Sequence, residues 1–208
     1  MSCKDEEMFS YQDDAINNLD LMKDKSFYST LVIVPTGGGK TRIALRYLYE
    51  KIFSEPDGQK ALWLGERLSL LKQTKQSFED WKEKPEAVKL QYFSSKATDY
   101  RDGIESDTNF VIFTQQTLSK GIDEKVMEGK LKKWLTGTKT LTVIIDEAHH
   151  ATGRAYRNVL HLLKKFQAGK LFDNLHIIGL TATPKSSDND GSIEDIFFHG
   201  SDADGKFS

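Results

Sequence analysis

Cysteine and long apolar runs are nearly absent from this chain of 208 residues. Cys3 is the only cysteine, so no disulfide can form within the chain, and a reducing, cytoplasmic location is expected. No apolar run approaches the length of a membrane-spanning helix. Residues 1–7 also lack the basic and apolar regions of a signal peptide. These absences predict a cytoplasmic protein that makes no contact with a membrane.

A large excess of charge of one sign is missing as well. The chain carries 29 basic and 31 acidic side chains, for a net charge of −2, whereas a wholly basic domain would indicate nucleic-acid binding directly. Local lysine clusters occur, and the simpler interpretation of each is a solvated helix face. These clusters are Lys72 with Lys75, Lys130 with Lys132 and Lys133, and Lys164 with Lys165. The charge balance therefore neither identifies nor excludes a nucleic-acid partner held through a few phosphate contacts.

The most informative segment runs from Val34 to Thr41 and contains three successive glycines followed by Lys-Thr. A β-branched apolar run precedes it and an amphipathic segment follows it, which is the order of a phosphate-binding loop. Glycines let backbone N–H groups face phosphate oxygens, and the helix N-terminus attracts the same anion. In such a loop the lysine contacts the β- and γ-phosphates and the threonine hydroxyl ligates Mg²⁺. The predicted ATP-binding residues of the loop are Thr36, Gly37, Gly38, Gly39, Lys40 and Thr41.

One position departs from the strict phosphate-loop expression. Val34 stands where G-x-x-x-x-G-K-[ST] has its first glycine. The alternative interpretation is an ordinary glycine turn before a helix that happens to contain Gly-Lys-Thr. The strand pattern before the loop and the helix pattern after it favour the phosphate-binding loop.

A second apolar run, over residues 141–145, ends in Asp146 and Glu147. In an open parallel sheet the carboxyl ends of the strands line the ligand crevice, so both acids are expected beside the glycine loop. Asp146 would hold Mg²⁺, and Glu147 would polarise the attacking water. Acids after a strand are a weak signal alone, but together with the glycine loop they predict a nucleoside triphosphatase with Lys40, Asp146 and Glu147 as catalytic residues.

These residues resemble the ATP-binding domain of superfamily-2 helicases. Asp146-Glu147-Ala148-His149 is a DEAH box, and residues 35–41 resemble motif I, which in that superfamily commonly departs from the strict expression at the position of Val34. Four further segments resemble family motifs in family order, across roughly residues 9–185. They are the adenine-reading glutamine element at Tyr11-Gln12, motif Ia at Arg67-x-x-Leu70-x-x-Gln73, the next nucleic-acid motif from Phe113 to Leu118, and motif III at Thr181-Ala182-Thr183-Pro184. The doubled His149-His150 is most similar to the branch that contains restriction-enzyme motor subunits.

The resemblance implies roles for residues outside the two main motifs. Gln12 would hydrogen-bond adenine, and Arg67 and Thr114 would contact the nucleic-acid backbone. Thr181 and Thr183 would couple the nucleotide site to strand movement through His149, although capping after a strand is the simpler role for the threonines. Zinc binding by His149 and His150 is the disfavoured alternative, because no cysteine set or His-x₃-His spacing accompanies them.

Strand patterns alternate with helix patterns along the chain, and several strand patterns are nearly continuously apolar, as strands covered on both faces are. Together with the resemblance, this predicts an α/β fold, a RecA-like P-loop NTPase in three α/β/α layers with a mainly parallel central sheet. Strands are expected at 31–34, 61–65, 89–93, 110–114, 141–146 and 175–181. Helices are expected at 12–22, 42–53, 68–82, 123–135 and 154–167.

The composition changes near residue 185. Residues 1–185 are expected to form the helicase ATP-binding domain, and residues 186–208 a polar linker or tail that contains a short apolar patch from Ile193 to Phe198. The patch either docks on the domain or meets a second one. Superfamily-2 helicases carry a second RecA-like domain that supplies an arginine finger, and none is expected in this segment. We therefore expect weak or no ATP hydrolysis by the isolated chain.

Three functions fit the motifs to different degrees. The favoured one is the first motor domain of an ATP-dependent helicase or translocase that uses ATP and Mg²⁺ and acts on nucleic acid, DNA rather than RNA. A non-hydrolysing, nucleotide-dependent binding or switch module is the alternative. A small-molecule kinase is disfavoured, because Glu147 beside Asp146 suits water activation and no acceptor-binding insertion stands out.

Overall fold

A computed structural model describes residues 8–81, 87–93, 103–114, 124–183 and 193–197. Six strands of these residues form one sheet in the order β1-β6-β5-β2-β4-β3, and all of its pairings are parallel. The mainly parallel α/β fold predicted from the sequence is thus confirmed. The strands are β1 (Phe27–Ile33), β2 (Gln59–Gly65), β3 (Leu90–Phe93), β4 (Phe110–Thr114), β5 (Thr140–Asp146) and β6 (Asn174–Thr181).

Helices connect the strands and cover both faces of the sheet. They are α1 (Ser10–Asp20), α2 (Lys40–Tyr47), α3 (Leu68–Glu79), α4 (Glu124–Leu135), α5 (Arg154–Ala168) and α6 (Glu194–Phe197). One apolar cluster packs α1, α2 and α3 against the sheet, and a second packs α4, α5 and α6 on the opposite face. Successive residues of a strand point to opposite faces, so Ile144 lies in the first cluster while Val143 and Ile145 lie in the second. This is the predicted three-layer arrangement.

The strand β1 is longer than its apolar run indicates. The run predicts a strand from residue 31, but β1 starts at Phe27, which pairs with Leu175 of β6. Ser29 and Thr30 weaken the local pattern, whereas pairing with the full length of β6 extends the strand. The predicted helix 42–53 also differs, since α2 starts at Lys40 and ends in a π-helical turn, Leu48–Ile52.

The short helix α6 packs against the sheet. Ile193, Ile196 and Phe197 are buried, and the Ser29 hydroxyl donates a hydrogen bond of 2.6 Å to the carbonyl of Ile196. This apolar patch therefore docks on the domain, one of the two outcomes expected for it. Apart from residues 193–197, the predicted linker 186–208 lies outside the described residues, and the boundary at residue 185 stays a prediction.

Candidate nucleotide and coupling site

The predicted site residues come together because they follow the carboxyl ends of neighbouring parallel strands. The glycine loop follows β1, Thr181 ends β6, and Asp146 ends β5. Arg67 comes two residues after β2, and Thr114 ends β4. Since the order of these strands is β1-β6-β5-β2-β4, the residues lie side by side along one edge of the sheet. This edge is the ligand-binding edge of open α/β sheets.

The glycine loop makes a tight turn into α2. Gly38 donates its backbone N–H to the carbonyl of Pro35 at 2.9 Å, and Gly39, at the N-cap of α2, has a left-handed φ of 83°. Glycine adopts this conformation without strain, whereas residues with a Cβ atom are strained in it. A side chain at Gly38 would lie 2.5 Å from Val34 Cγ1. Val34, the departure from the strict expression, therefore packs directly beneath the glycines.

Two side chains of α1 hold the glycine loop from the outside. The Tyr11 hydroxyl and the Gln12 amide nitrogen both donate to the Gly38 carbonyl, at 2.9 and 3.0 Å. Gln12 also accepts the backbone N–H of Phe9 at 3.2 Å, and its side chain is buried. Each amide atom of Gln12 retains one further donor or acceptor position. Gln12 is therefore tied to the glycine loop, and its adenine contact stays a prediction.

A cleft of about 380 Å³ joins the glycine loop to the acids after β5. It is lined by seven of the predicted site residues: Thr36, Gly37, Gly39, Lys40, Thr41, Asp146 and Glu147. Leu70, from the segment that resembles motif Ia, also lines the cleft. Four residues that the motifs did not indicate complete the lining: Arg42, Leu45, Ser77 and Trp81. The predicted phosphate, metal and water-activating residues thus share one cleft.

The two acids at the end of β5 differ in environment. Asp146 is buried, and burial, then the neighbouring Glu147 carboxylate, raises its pKa to about 6. Its Oδ1 atom accepts the backbone N–H of Glu147 at 3.0 Å, and Lys40 also favours the ionised form. Glu147 has a φ of 50°, a conformation that non-glycine residues adopt at a cost and that recurs at functional sites.

Magnesium fits the donor set of the cleft. The Thr41 hydroxyl and the Asp146 carboxylate both line it, and oxygen donors of these two kinds are what Mg²⁺ prefers. Asp146 is buried beside the Glu147 carboxylate, and a bound cation would favour the ionised form of Asp146.

His149 connects the acid loop to the end of β6. Its Nδ1 atom lies 3.2 Å from Thr181 Oγ1 and 3.5 Å from Glu147 Oε2. The Thr181 hydroxyl donates to the Thr183 carbonyl at 2.7 Å and accepts the Thr183 N–H at 3.1 Å. Because that hydroxyl proton is already used, the network assigns the donor role, and the proton, to Nδ1 of His149. Burial, then the adjacent His150, lowers the pKa of His149.

Comparison with known proteins identifies the family. The model of the family described as "Type III restriction enzyme, res subunit" matches residues 5–186. The chain belongs to this res-subunit family. The match extends from before α1 to beyond β6, so it includes both the glycine loop and the acids of the cleft.

Relatives of this res-subunit domain include longer helicases. The chain is 32% identical over 165 residues to the putative ATP-dependent helicase IRC3 of Saccharomyces cerevisiae, covering 76% of this chain and 20% of that protein. It is 28% identical over 168 residues to the ATP-dependent DNA helicase mph1 of Neurospora crassa, covering 80% of this chain and 13% of that protein. The chain thus spans at most a fifth of the length of these relatives.

A solved structure is similar in fold. The UvsW helicase of bacteriophage T4 superposes with a TM-score of 0.61 at 21% identity, over 95% of this chain and 60% of that one. The predicted RecA-like helicase fold is therefore confirmed for the res-subunit domain.

The predicted nucleic-acid residues lie on the same edge but differ in exposure. Arg67 is exposed at the N-cap of α3, whereas Thr114 is only 2% exposed at the end of β4. Pro184, in the segment that resembles motif III, and residues 115–118, in the segment that resembles the next nucleic-acid motif, lie outside the described residues. The contacts of Arg67 and Thr114 with nucleic acid stay predictions.

Two further residues of the res-subunit domain belong to this edge and were not predicted. Glu66, between β2 and α3, lies with its Oε2 atom 3.5 Å from His150 Nε2, and it lines a small pocket with Arg67 and Glu147. From the sequence, the doubled histidine was noted as a family trait and as a disfavoured zinc site, and not as a partner of Glu66. The pairing of β2 with β5 brings the two residues together, and no local pattern specifies that pairing.

A membrane-spanning helix is not found in the part of the chain that the structure describes. The same residues contain no group of three or more His, Cys, Asp or Glu side chains that is arranged to hold a metal ion.

Proposed function

We propose that this chain is the first motor domain of an ATP-dependent nucleic-acid helicase or translocase. The observation that carries the proposal is the cleft in which the glycine loop after β1 and the acid pair after β5 face each other. A nucleoside triphosphatase needs two such parts. The first is a phosphate cradle with a positively charged side chain, and the second is a pair of carboxylates that hold the metal and activate the water. The family match and the two helicase relatives support the same conclusion.

The predicted site residues have separate roles in hydrolysis under this proposal. The N–H of Gly38 is held by the Pro35 carbonyl, and the other backbone N–H groups of the glycine loop face the phosphates. Lys40 neutralises the charge of the phosphates. Thr41 and Asp146 hold Mg²⁺, which when bound polarises the phosphate oxygens. Glu147 orients the attacking water and accepts its proton. Gln12 reads adenine with the donor and acceptor positions that its contacts with Gly38 and Phe9 leave available.

Nucleic acid is the proposed polymer substrate, with DNA favoured over RNA. Arg67 is exposed beside the cleft and suits a backbone phosphate. One relative is named a DNA helicase, which supports DNA. His149, Thr181 and Thr183 transmit strand movement to the acid loop through the contacts that join them.

A second RecA-like domain is proposed to complete the site. The relatives are at least five times longer than the matched segment, which leaves room for one. A residue such as an arginine finger accelerates related phosphoryl transfers by about 10³–10⁵-fold. The segment described here should therefore bind Mg·ATP but hydrolyse it slowly or not at all alone. Fast turnover at nanomolar protein, where self-association is excluded, would contradict this.

The experiment that tests the proposal compares Glu147→Gln with Lys40→Ala in the intact protein. Glu147→Gln should abolish hydrolysis and retain bound ATP, because it removes the base and leaves the phosphate cradle. Lys40→Ala should weaken ATP binding itself. If Glu147→Gln left the nucleotide-dependent activity of the protein unchanged, the alternative of a non-hydrolysing switch module would replace the motor.

A further inference from the structure

A line of side-chain contacts runs from the start of α3 to the acid loop. Because β2 pairs in register with β5, the ends of the two strands are adjacent, and Leu64 lies opposite Ile145. Glu66 extends from the end of β2, and its Oε2 atom lies 3.5 Å from Nε2 of His150. A neutral imidazole with its proton on Nε2 can donate to this carboxylate, so the contact does not require a charged ring.

The contacts continue from His150 to both halves of the site. The rings of His150 and His149 lie with their centroids 4.1 Å apart. His149 then contacts Glu147 and Thr181 through its Nδ1 atom. Two adjacent imidazoles therefore link Glu66, the neighbour of Arg67, to the residue proposed to activate water.

We propose that Glu66 and His150 are positioning residues that couple nucleic-acid contact at the start of α3 to the orientation of Glu147. This inference rests on the proposed motor function. Arg67 is the N-cap of α3, so a phosphate bound there would fix the backbone after Glu66, and β2 holds the backbone before it. Glu66 would then hold His150, and through it the His149 ring against Glu147. The strained φ of Glu147 means that its neighbours determine its orientation, which makes such a coupling effective.

The test is a double-mutant cycle in the intact protein. The ratio of nucleic-acid-stimulated to unstimulated ATP turnover is measured for the wild type, Glu66→Ala, His150→Leu and the double variant, with affinity for Mg·ATP measured in parallel. Each single change should lower the ratio about threefold, the size expected for a partly exposed pair. The double variant should lower the ratio no further than either single variant does. Affinity for Mg·ATP should change less than about twofold, because neither side chain lines the phosphate cradle.

Conservative variants and matched controls separate coupling from a general structural effect. His150→Gln retains a donor near the Nε2 position and should restore most of the ratio. Glu79→Ala removes a similarly exposed carboxylate from α3, and His161→Leu removes an exposed histidine from α5. Neither control should change the ratio.

Two results would overturn the inference. The first is an unchanged ratio in Glu66→Ala and His150→Leu, and the second is a double variant whose loss equals the product of the two single losses. A wild-type protein that no nucleic acid stimulates would contradict the proposed function itself, and this inference with it. The two failures are therefore distinguishable.

Discussion

The Nδ1 atom of His149 lies 3.2 Å from the hydroxyl of Thr181, and this contact joins the loop after β5 to the end of β6. It connects the segment that resembles a DEAH box to the segment that resembles motif III. Two hydrogen bonds with the backbone of Thr183 fix the position of the Thr181 hydroxyl.

Removal of the Thr181 hydroxyl should uncouple the nucleotide site. Thr181→Val keeps the shape of the side chain and loses about 1 kcal/mol or more of hydrogen bonding, so kcat with nucleic acid should fall about fivefold, with KM for ATP nearly unchanged. Steady-state kinetics measure both quantities. Thr142→Val is the matched control. The buried Thr142 hydroxyl has no hydrogen-bond partner among the residues that the structure describes, so its loss should not reduce turnover. Equal kinetics for the two variants would contradict the coupling role.

Gly39 should not tolerate a side chain. Its φ of 83° is strained for other residues, and a Cβ atom there would lie 2.5 Å from the amide nitrogen of Gln12. Gly39→Ala should weaken binding of Mg·ATP at least about tenfold, measured by titration of a fluorescent ATP analogue.

The control for Gly39 is Gly129 in α4, where a Cβ atom would meet nothing within 4 Å. Gly129→Ala should leave nucleotide affinity unchanged and should raise the free energy of unfolding by roughly 0.5–1 kcal/mol. Tight Mg·ATP binding by Gly39→Ala would show that the loop does not hold the phosphates in the conformation described.

Gln12 should affect both affinity and choice of base. Gln12→Ala removes a donor to the Gly38 carbonyl as well as the proposed contact with adenine, so binding of ATP should weaken several-fold and the preference for ATP over GTP should shrink. Competition binding with both nucleotides measures this. Asn18→Ala, an exposed amide on the same helix, is the control. A variant that binds more weakly but discriminates as well as the wild type would restrict Gln12 to supporting the loop.

Lys60 should make the stability of the fold depend on pH. Its ammonium group donates to the carbonyls of Ser106, at 2.8 Å, and Trp134, and burial lowers its pKa to about 8 although Asp107 opposes the shift. Between pH 8 and the higher pKa of Lys60 in the unfolded chain, the unfolded state binds more protons than the folded state. The free energy of unfolding therefore rises with pH across this range. The free energy of unfolding of the wild type should increase relative to Lys60→Met by up to about 1 kcal/mol per pH unit.

Urea unfolding between pH 7.5 and 9.5 measures this difference. Lys132→Met, an exposed lysine of α4, should give a difference from the wild type that is flat with pH. A flat difference for Lys60→Met as well would show that Lys60 keeps an ordinary pKa in the folded protein.

The parts of the site with strong local signals were predicted from the sequence. The glycine loop and Asp146-Glu147 each depend on a few adjacent residues after an apolar strand, and the cleft brings them together as expected. The predicted start of β1 was wrong by four residues. Pairing with β6, rather than their own hydrophobicity, holds the first residues of β1 in the strand.

Two contacts between distant segments were not predicted. Tyr11 reaches the Gly38 carbonyl only because α1 packs against α2, and Glu66 reaches His150 only because β2 is the neighbour of β5. A strand order of this kind is a property of the whole sheet, and hydrophobic periodicity does not specify it.

The central claim is tested most directly by steady-state ATP hydrolysis in the intact protein, measured alone and with duplex DNA, single-stranded DNA or RNA, with Glu147→Gln as the blank. We predict that nucleic acid, and DNA more than RNA, stimulates turnover and that Glu147→Gln abolishes it. Turnover that no polymer changes, in a protein that binds Mg·ATP, would contradict the assignment of this domain to a nucleic-acid motor.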